Sequence, residues 1–444
     1  MFYINRDSEL DVKLLEKLMN KFTTYVQPEL KKWKKYYDGE HEILKKTYSD
    51  PSKPCNKIVT NFCKIVTDTY SGYICGKPVS YTSNDDIEDI QEIINYNDDN
   101  ANNIQMCTNA LTCGVAYELQ WLDKNAQVRY SQVDPINAFA VYDNTIDSEL
   151  MYFVRWYDAD SVSDDEVSYV EVYSANMKKV YKSHGVGGAL TLEIEEQHFF
   201  GDVPVSVFYL NDNEESIFAQ AISLQDAYNE LQSSEVDDYS AFCDAYLTLT
   251  GMDATTEDIA DMKKNRVLIF PEGGSGSYLT KQVNDAQISN MLENIKKNIF
   301  KVCSAPDLGD ENFMAQSGVA IQYKLTGFEN VASGIVARFT KAIQRRIELF
   351  CNVLKLKASD AVWRDININF VRNLPVNYTE MIQLVQGLQG VVSNKTLLGQ
   401  LGFIDDIDSE IEAIKKQKQE NMSLYMGGFD HTHNLEEEEE EGVL

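Results

Sequence analysis

Long apolar runs are missing from this 444-residue chain. None approaches the roughly 18 residues that span a bilayer, so no membrane-spanning helix is expected. The first residues, MFYINRDSEL, lack a basic stretch followed by an apolar one, so no secretory signal is expected either. There is no CxxC: the eight cysteines (Cys55, Cys63, Cys75, Cys107, Cys113, Cys243, Cys303, Cys351) are scattered and read as reduced thiols of a cytosolic protein. There is no GxxxxGKS/T loop, so ATP hydrolysis is not indicated. Histidine is scarce, with five in all, and none stands in HExxH or Cys/His spacing. His431 and His433, beside an acidic tail, therefore do not read as an ordered metal site. Basic residues are also short, 40 Lys and Arg against 70 Asp and Glu, a net charge of −30. The run Glu436–Glu441 supplies only a fifth of that excess, so the acidity belongs to the body of the protein. A deficit of this size argues against a protein that grips phosphates.

Hydrophobic residues make up 43% of the chain, enough for real cores. At about 150 residues per domain the length suggests about three units. Residues 8–37 read as helix, with Leu10, Val12, Leu14, Leu15 and Leu18 near helical spacing. Lys31, Lys32, Lys34 and Lys35, with Trp33, Tyr36 and Tyr37, close that helix. They read as a solvated helix end before the Asp38-Gly39 break, with a nucleic-acid patch as the other reading. Residues 56–71 read as a second amphipathic helix, ended by Gly72 and Gly76-Lys77-Pro78. A short strand follows at Val79–Thr82, then a short helix capped by Ser83 or Asn84, then a helix at 101–114.

The period then changes to two. YELQW (117–121), QVRYSQV (127–133), AFAVY (138–142), MYFVRWY (151–157), VSYVEVY (167–173) and ALTLEIEEQ (189–197) make 115–210 an antiparallel β region. From Ser216 helical spacing returns through Ile217, Ala221, Leu224, Tyr228 and Leu231, extended by Val236, Tyr239, Phe242 and Tyr246. A small mixed module occupies 247–283: strand YLTLTG, helix TEDIADMKK, strand RVLIF, turn PEGGSGS and strand YLTKQV. Helix resumes at 285–303. After the polar loop SAPDLGDENFMAQSG (304–318), a helix runs from Val319 to about Leu356, with Gly327 and Gly334 as candidate bends. Residues 378–425 read as helical, and the tail after Gly427 as disordered.

Enzyme signals are weak. Strands follow both Gly185-Val-Gly187-Gly188 and Gly273-Gly274-Ser-Gly276, so these read as hairpin turns rather than phosphate cradles. The paired acids Asp85-Asp86, Asp98-Asp99, Asp164-Asp165, Asp237-Asp238 and Asp405-Asp406 are expected at this composition and read as solvated surface. No catalytic residue, cofactor or metal is assigned.

Five strings, taken in order, resemble the portal proteins of long-tailed double-stranded DNA bacteriophages. They are YYDGEHEI (36–43), NKIVTNFCKIVTDTYSGYICGKPVSY (56–81), SLQDAYNELQSSEVDDYSAFCDAYLTLTG (223–251), SAPDLGDENFMAQSGVAIQYKLTGFEN (304–330) and VSNKTLLGQLGFIDDIDSEIEAIKKQ (392–417). Their joint order carries the resemblance more than any single string. It implies an α+β portal fold assembled as a ring, usually of twelve subunits, with DNA passing through the centre. By the same resemblance, 1–216 and 319–377 form a wing, and 217–246 and 285–303 form a stem. Residues 247–284 form a clip, 304–318 a tunnel loop, 378–426 a crown, and 427–444 an acidic tail.

The implied site residues follow from that map. Tunnel-loop candidates are Asp310, Glu311, Asn312, Phe313, Met314, Gln316 and Ser317. Stem-channel candidates are Lys296, Lys297 and Lys301, which read equally well as partners of the acidic helix before them. Clip-docking candidates are Lys263, Lys264, Arg266 and Glu272. The implied partners are further copies of the chain, double-stranded DNA, the terminase large subunit, a head–tail adaptor, and the major capsid and scaffolding proteins. The implied location is the virion, at a capsid vertex, and the host cytoplasm during assembly. Two other readings stay open: a metal-dependent nuclease using the acidic pairs, and a virion component without a DNA channel.

Overall fold

The computed structural model describes residues 1–51, 53–159, 167–184, 189–242, 246–251, 255–265, 272–279, 285–309, 318–356, 362–373, 385–399 and 410–418. Residues Met1–Asn373 form one compact unit and Leu374–Leu444 a second.

The N-terminal helical stretch is not uniform. α1 (Val12–Lys21) begins at Asp11, whose carboxylate accepts the Leu14 N–H at 2.8 Å. A π-helical turn, Phe22–Val26, follows, and α2 (Gln27–Asp38) ends at Gly39, whose φ of 89° suits glycine. The single helix expected over 8–37 is therefore interrupted. Pro28 has no N–H to give the carbonyl of Thr24, and the Gln27 N–H instead reaches back to Phe22. Of the basic cluster's aromatics, Trp33 and Tyr36 are buried, and Lys34 pairs with Asp134 at 2.6 Å. The cluster is a helix end held against the body.

α3 (Phe62–Cys75) is shorter than expected at its start, and residues 56–61 are not helical. Asn61 caps it by accepting the Lys64 N–H at 2.9 Å. α4 (Glu88–Tyr96) also starts later than expected: Ile87 stands at the cap, while the Ser83 hydroxyl closes a turn with the Asp85 N–H. α5 (Asp99–Cys113) ends at Gly114, where φ is +76° and a Cβ would lie 2.2 Å from the Glu214 carbonyl oxygen.

The expected β region exists, but its strands divide between two sheets. The larger has the order β1 (Phe2–Ile4), β5 (Ala138–Asp143), β6 (Leu150–Asp158), β7 (Val167–Tyr173), β8 (Met177–His184) and β9 (Thr191–Gln197). β1 joins it in parallel with β5, and the remaining pairs are antiparallel. The smaller sheet is β10 (Val205–Tyr209), β3 (Val115–Leu122) and β4 (Val128–Val133). β2 (Ser80–Thr82) pairs with β13 (Asn367–Asn369). The turn expected at 185–188 lies outside the described residues; the strands on either side of it pair antiparallel.

α6 (Ile222–Phe242) and α8 (Asp285–Val302) pack on each other. Between them in sequence come β11 (Tyr246–Thr250), α7 (Thr256–Asn265) and β12 (Ser275–Leu279). β11 and β12 pair antiparallel, with Gly276 opposite Leu249. The last strand of this module therefore starts at Ser275, inside the segment expected to be a turn. The strand expected at 266–270 lies outside the described residues.

α9 (Gly318–Leu356) runs unbroken through Gly327 and Gly334. Phe328, Ala332, Ile335, Phe339, Ile343, Ile347 and Phe350 repeat every three to four residues and are buried. Phe339 stacks on Phe208 of β10 at 4.6 Å between ring centroids, seating the helix on the smaller sheet. No helix among the described residues is long and apolar enough to cross a membrane. In the second unit, residues 385–388 and 410–418 are helical, and α10 (Asn394–Gly399) is capped by the Ser393 hydroxyl.

Candidate functional site

The α6–α8 pair is joined to the rest of the first unit by a polar seam on α6. Gln225, Asn229, Ser233 and Asp237 stand four residues apart, so they share one face of the helix. Gln225, Asn229 and Ser233 are 0% exposed and Asp237 7%. Each accepts a backbone N–H from residues 56–62, the non-helical stretch 56–61 and the first residue of α3. Asp237 takes Asn56 at 2.6 Å, Ser233 takes Ile58 at 3.0 Å, Asn229 takes Thr60 at 3.1 Å and Gln225 takes Phe62 at 2.9 Å. Gln225 also donates to the Thr60 carbonyl at 2.7 Å.

The two repeats fit because their lengths agree. Two residues of extended chain advance about 6.6 Å, and four residues of helix advance about 6 Å. Alternate N–H groups therefore meet successive helix turns, in antiparallel order. α6 serves the segment as a neighbouring strand would, with side chains in place of carbonyls. That explains why 56–61 is not helical: these amides are more fully satisfied by α6. Apolar contacts reinforce the seam. Phe62 meets the Tyr228 ring of α6 at 4.9 Å and the Phe300 ring of α8 at 5.7 Å, both edge to face.

His41 extends the seam. Its Nδ1 accepts from the Asn229 amide at 2.8 Å, and its Nε2 reaches the Tyr36 carbonyl at 2.9 Å. Tyr36 in turn donates to Asp226 of α6 at 2.7 Å. The two His41 contacts require a neutral ring protonated on Nε2. Burial holds the imidazole below its usual range, with the Tyr36 carbonyl opposing that shift. The linkage follows. An unfolded histidine titrates near about 6.5. Because the folded value is lower, the stabilisation is complete above that pH and is lost as pH falls through the folded value. His198, half-buried and lowered by that burial, acts with the same sign. Urea midpoints should fall between pH 7.5 and pH 5.5, and His41→Gln should flatten part of that slope. An identical slope in the variant would contradict the assignment.

Asp237 is a second titrating point. Burial pushes its carboxyl up, but hydrogen bonds from the backbone and side chain of Asn56 and from Lys46 and Tyr48 outweigh it, and the group lies below its ordinary value.

The sequence-selected residues fall in three groups. Lys296 bonds Asp307 at 2.6 Å; that hydrogen bond raises its pKa and ties α8 to the loop after it. Its partner is thus the following loop and not α6. Lys297 pairs with Glu293 one turn back at 3.2 Å, and Lys301 is exposed. Lys263 and Lys264 lie on α7, with Lys264 exposed, and Glu272 is exposed just before β12. Arg266 and the loop residues Asp310, Glu311, Asn312, Phe313, Met314, Gln316 and Ser317 lie outside the described residues.

Sequence reading missed the buried charge network centred on Arg346. Arg346 of α9 is 1% exposed and forks onto Glu118 of β3 at 2.7 and 2.6 Å. Its remaining Nη reaches Asp99 at 2.6 Å, and the guanidinium lies over the Tyr130 ring at 4.8 Å. Tyr130 and Tyr81 also donate to Asp99, and Asn102 donates to Glu118. Two buried carboxylates facing one buried guanidinium pin α9 to α5 and β3.

The first unit combines two sheets and their packed helices with a helix pair, α6 and α8, that brackets a small α/β module in sequence. Residues 18–424 match the family described as phage portal protein, SPP1 Gp6-like. The chain belongs to this phage portal protein family. It is 22% identical to the portal protein of Bacillus phage SPP1, in a match covering 92% of this chain and 87% of the other. Among solved structures it resembles a chain from the neck of an empty GTA particle, with a TM-score of 0.46 and 11% identity. That match covers 77% of this chain and 88% of the other. Family membership favours the portal reading over both a nuclease and a virion component without a channel.

Proposed function

We propose that this chain is the subunit of a ring at one vertex of a phage capsid, whose central channel passes double-stranded DNA during packaging and ejection. The family match across 18–424 is the observation that carries this reading. In this reading α6 and α8 are the stem, β11, α7 and β12 belong to the clip, and residues 1–216 with α9 form the wing. Residues 304–318 supply the tunnel loop, and 378–426 the crown. A ring needs head-to-tail contacts whose rotation closes, with twelve copies as the expected number. The chain acts without catalysis of its own. Force comes from a separate terminase that docks at the clip, where Lys263, Lys264, Arg266 and Glu272 are candidate contacts, and a head–tail adaptor replaces it later. The ring assembles in the host cytoplasm with scaffolding and capsid proteins and ends in the virion.

The charge suits a conduit. A chain of net −30 does not hold phosphates, so DNA slides past with little adhesion. The buried seam on α6 has a matching role: it fixes the height of the stem against the wing, so that loops at the end of α8 keep their place relative to passing DNA.

The loop carries the sharpest test. Replacing Phe313, Met314 and Gln316 together by alanine should leave the ring assembled and reduce packaged DNA at least several-fold. Unchanged packaging by the altered ring would remove the loop from the mechanism.

A further inference from the structure

Charge is unevenly placed along this chain. Residues 12–35 cover α1, the π turn and most of α2, and hold seven lysines against Glu16 and Glu29, a net charge of +5. The whole chain carries −30, so everything outside this stretch carries −35. Lys13, Lys17 and Lys21 stand four residues apart, on a face of α1 turned away from the buried Leu15 and Leu18. Lys31, Lys32 and Lys35 follow on α2. All six are exposed. Of the seven lysines, Lys34 alone is in an ion pair among the described residues. Tyr25, in the turn between the two sets, is 76% exposed.

The opposite sign gathers elsewhere in the same unit. Residues 83–98 hold six acids and no lysine or arginine. Within this stretch α4 buries Ile90, Ile93 and Ile94, which turns Glu88 and Glu92 outward. Asp85, Asp86 and Asp98 are exposed as well. α2 and α4 both pack on α5, yet no ion pair among the described residues joins the basic stretch to the acidic one.

Other exposed lysines of this chain do find acids close by. Lys64 pairs with Asp68, Lys178 with Glu196 and Lys179 with Glu195. Two unmatched sets of opposite sign on one chain are therefore a departure from its own pattern. They also answer a difficulty of association. Copies that each carry −30 repel one another, so a stable contact needs a local match of opposite charges. Patches at different places on one chain match head to tail: each contact leaves a free patch at either end for the next copy. The spacing agrees too. Lysines four residues apart on α1 and Glu88 and Glu92 on α4 both repeat every 6 Å or so, about one helix turn.

We propose that the lysine face of α1 and α2 docks on the acidic α4 segment of a second copy of this chain, with Lys13, Lys17 and Lys21 meeting Asp85, Glu88 and Glu92. This rests on the ring reading above and names a contact through which the ring closes.

Charge reversal tests it on the full chain, with ring formation followed by mass photometry across protein concentration. One variant carries Lys13→Glu, Lys17→Glu and Lys21→Glu, the other Asp85→Lys, Glu88→Lys and Glu92→Lys. Either alone should need at least tenfold more protein than the parent to form rings. An equimolar mixture should assemble within about threefold of the parent, because reversed faces then meet reversed faces and native faces meet native ones. All six positions are exposed, so melting temperatures should stay near the parent's. Where a reversed chain does not fold, alanine at the same three lysines reads the same contact and should still weaken assembly several-fold.

A folded reversal or alanine variant that assembles like the parent would overturn the contact and leave the ring reading standing. Failure of the mixture to restore rings would also overturn it. Rings that survive the lysine reversal but lose affinity for a short DNA duplex would assign this face to nucleic acid instead. A parent chain that forms no ring at any concentration would remove both the ring reading and this contact.

Discussion

Arg346→Met should cost the first unit about 3–5 kcal/mol, because it leaves two buried carboxylates facing no cation. Glu118 is 0% exposed and Asp99 8%, so neither can recover the loss by turning to solvent. Methionine fills much of the space, so the loss is electrostatic and not a cavity effect. Replacing the whole set, Arg346→Met with Glu118→Gln and Asp99→Asn, should recover a large part of the loss, since no uncompensated charge then remains buried. Urea unfolding of the single and triple variants decides this. A single variant within about 1 kcal/mol of the parent would show that the network is hydrated and of little weight.

The second large effect falls on the α6 seam. Gln225→Leu leaves the Phe62 N–H and the Thr60 carbonyl with only their strained mutual bond at 3.2 Å and no partner on α6. Asn229→Leu strands the Thr60 N–H and the His41 Nδ1. Each buried group left unpaired costs about 1–3 kcal/mol, so each variant should lose roughly 2–4 kcal/mol. The two side chains also bond each other at 3.1 Å. Their losses should therefore not add, and a double-mutant cycle should give a coupling above about 0.5 kcal/mol. Hydrogen exchange offers an independent reading. Amides 56, 58, 60 and 62 should lose protection together in Asn229→Leu, while amides of β3 and β5 keep theirs. Loss at position 60 alone would mean the contacts are separate and not a cooperative seam.

The comparison with sequence turns on what each periodic signal reports. The helical spacing of Phe328, Ala332, Ile335, Phe339 and Ile343 made α9 legible, because its apolar face is the face that packs. Strands such as β7, VSYVEVY, were legible from their alternation. β8, MKKVYKSH, was not singled out, because its lysines hide the apolar pair Val180 and Tyr181. On α6 the same logic pointed to the wrong stripe. Leu224, Tyr228 and Leu231 look like the core face but are half-buried, and Tyr239 is 74% exposed. The deeply buried stripe is Gln225, Asn229, Ser233 and Asp237, which reads in sequence as a solvated polar face. A backbone segment with unmet N–H groups takes the place of water there, and composition does not reveal where such a segment will lie.

Arg346 was missed for a related reason. A basic residue in a long helix reads as solubilising, and its partners Asp99 and Glu118 lie more than two hundred residues away. The π turn had one signal, Pro28, whose missing N–H disturbs the helix ahead of it. Family resemblance reached further than periodicity. The order of five short strings pointed to the portal family that the match over 18–424 establishes.

Electron microscopy of the purified protein tests the central claim most directly. The account predicts closed, turbine-shaped rings with an open axial channel, in end views that give a single subunit number, twelve being expected. Monomers, or discs with no axial opening, would contradict it.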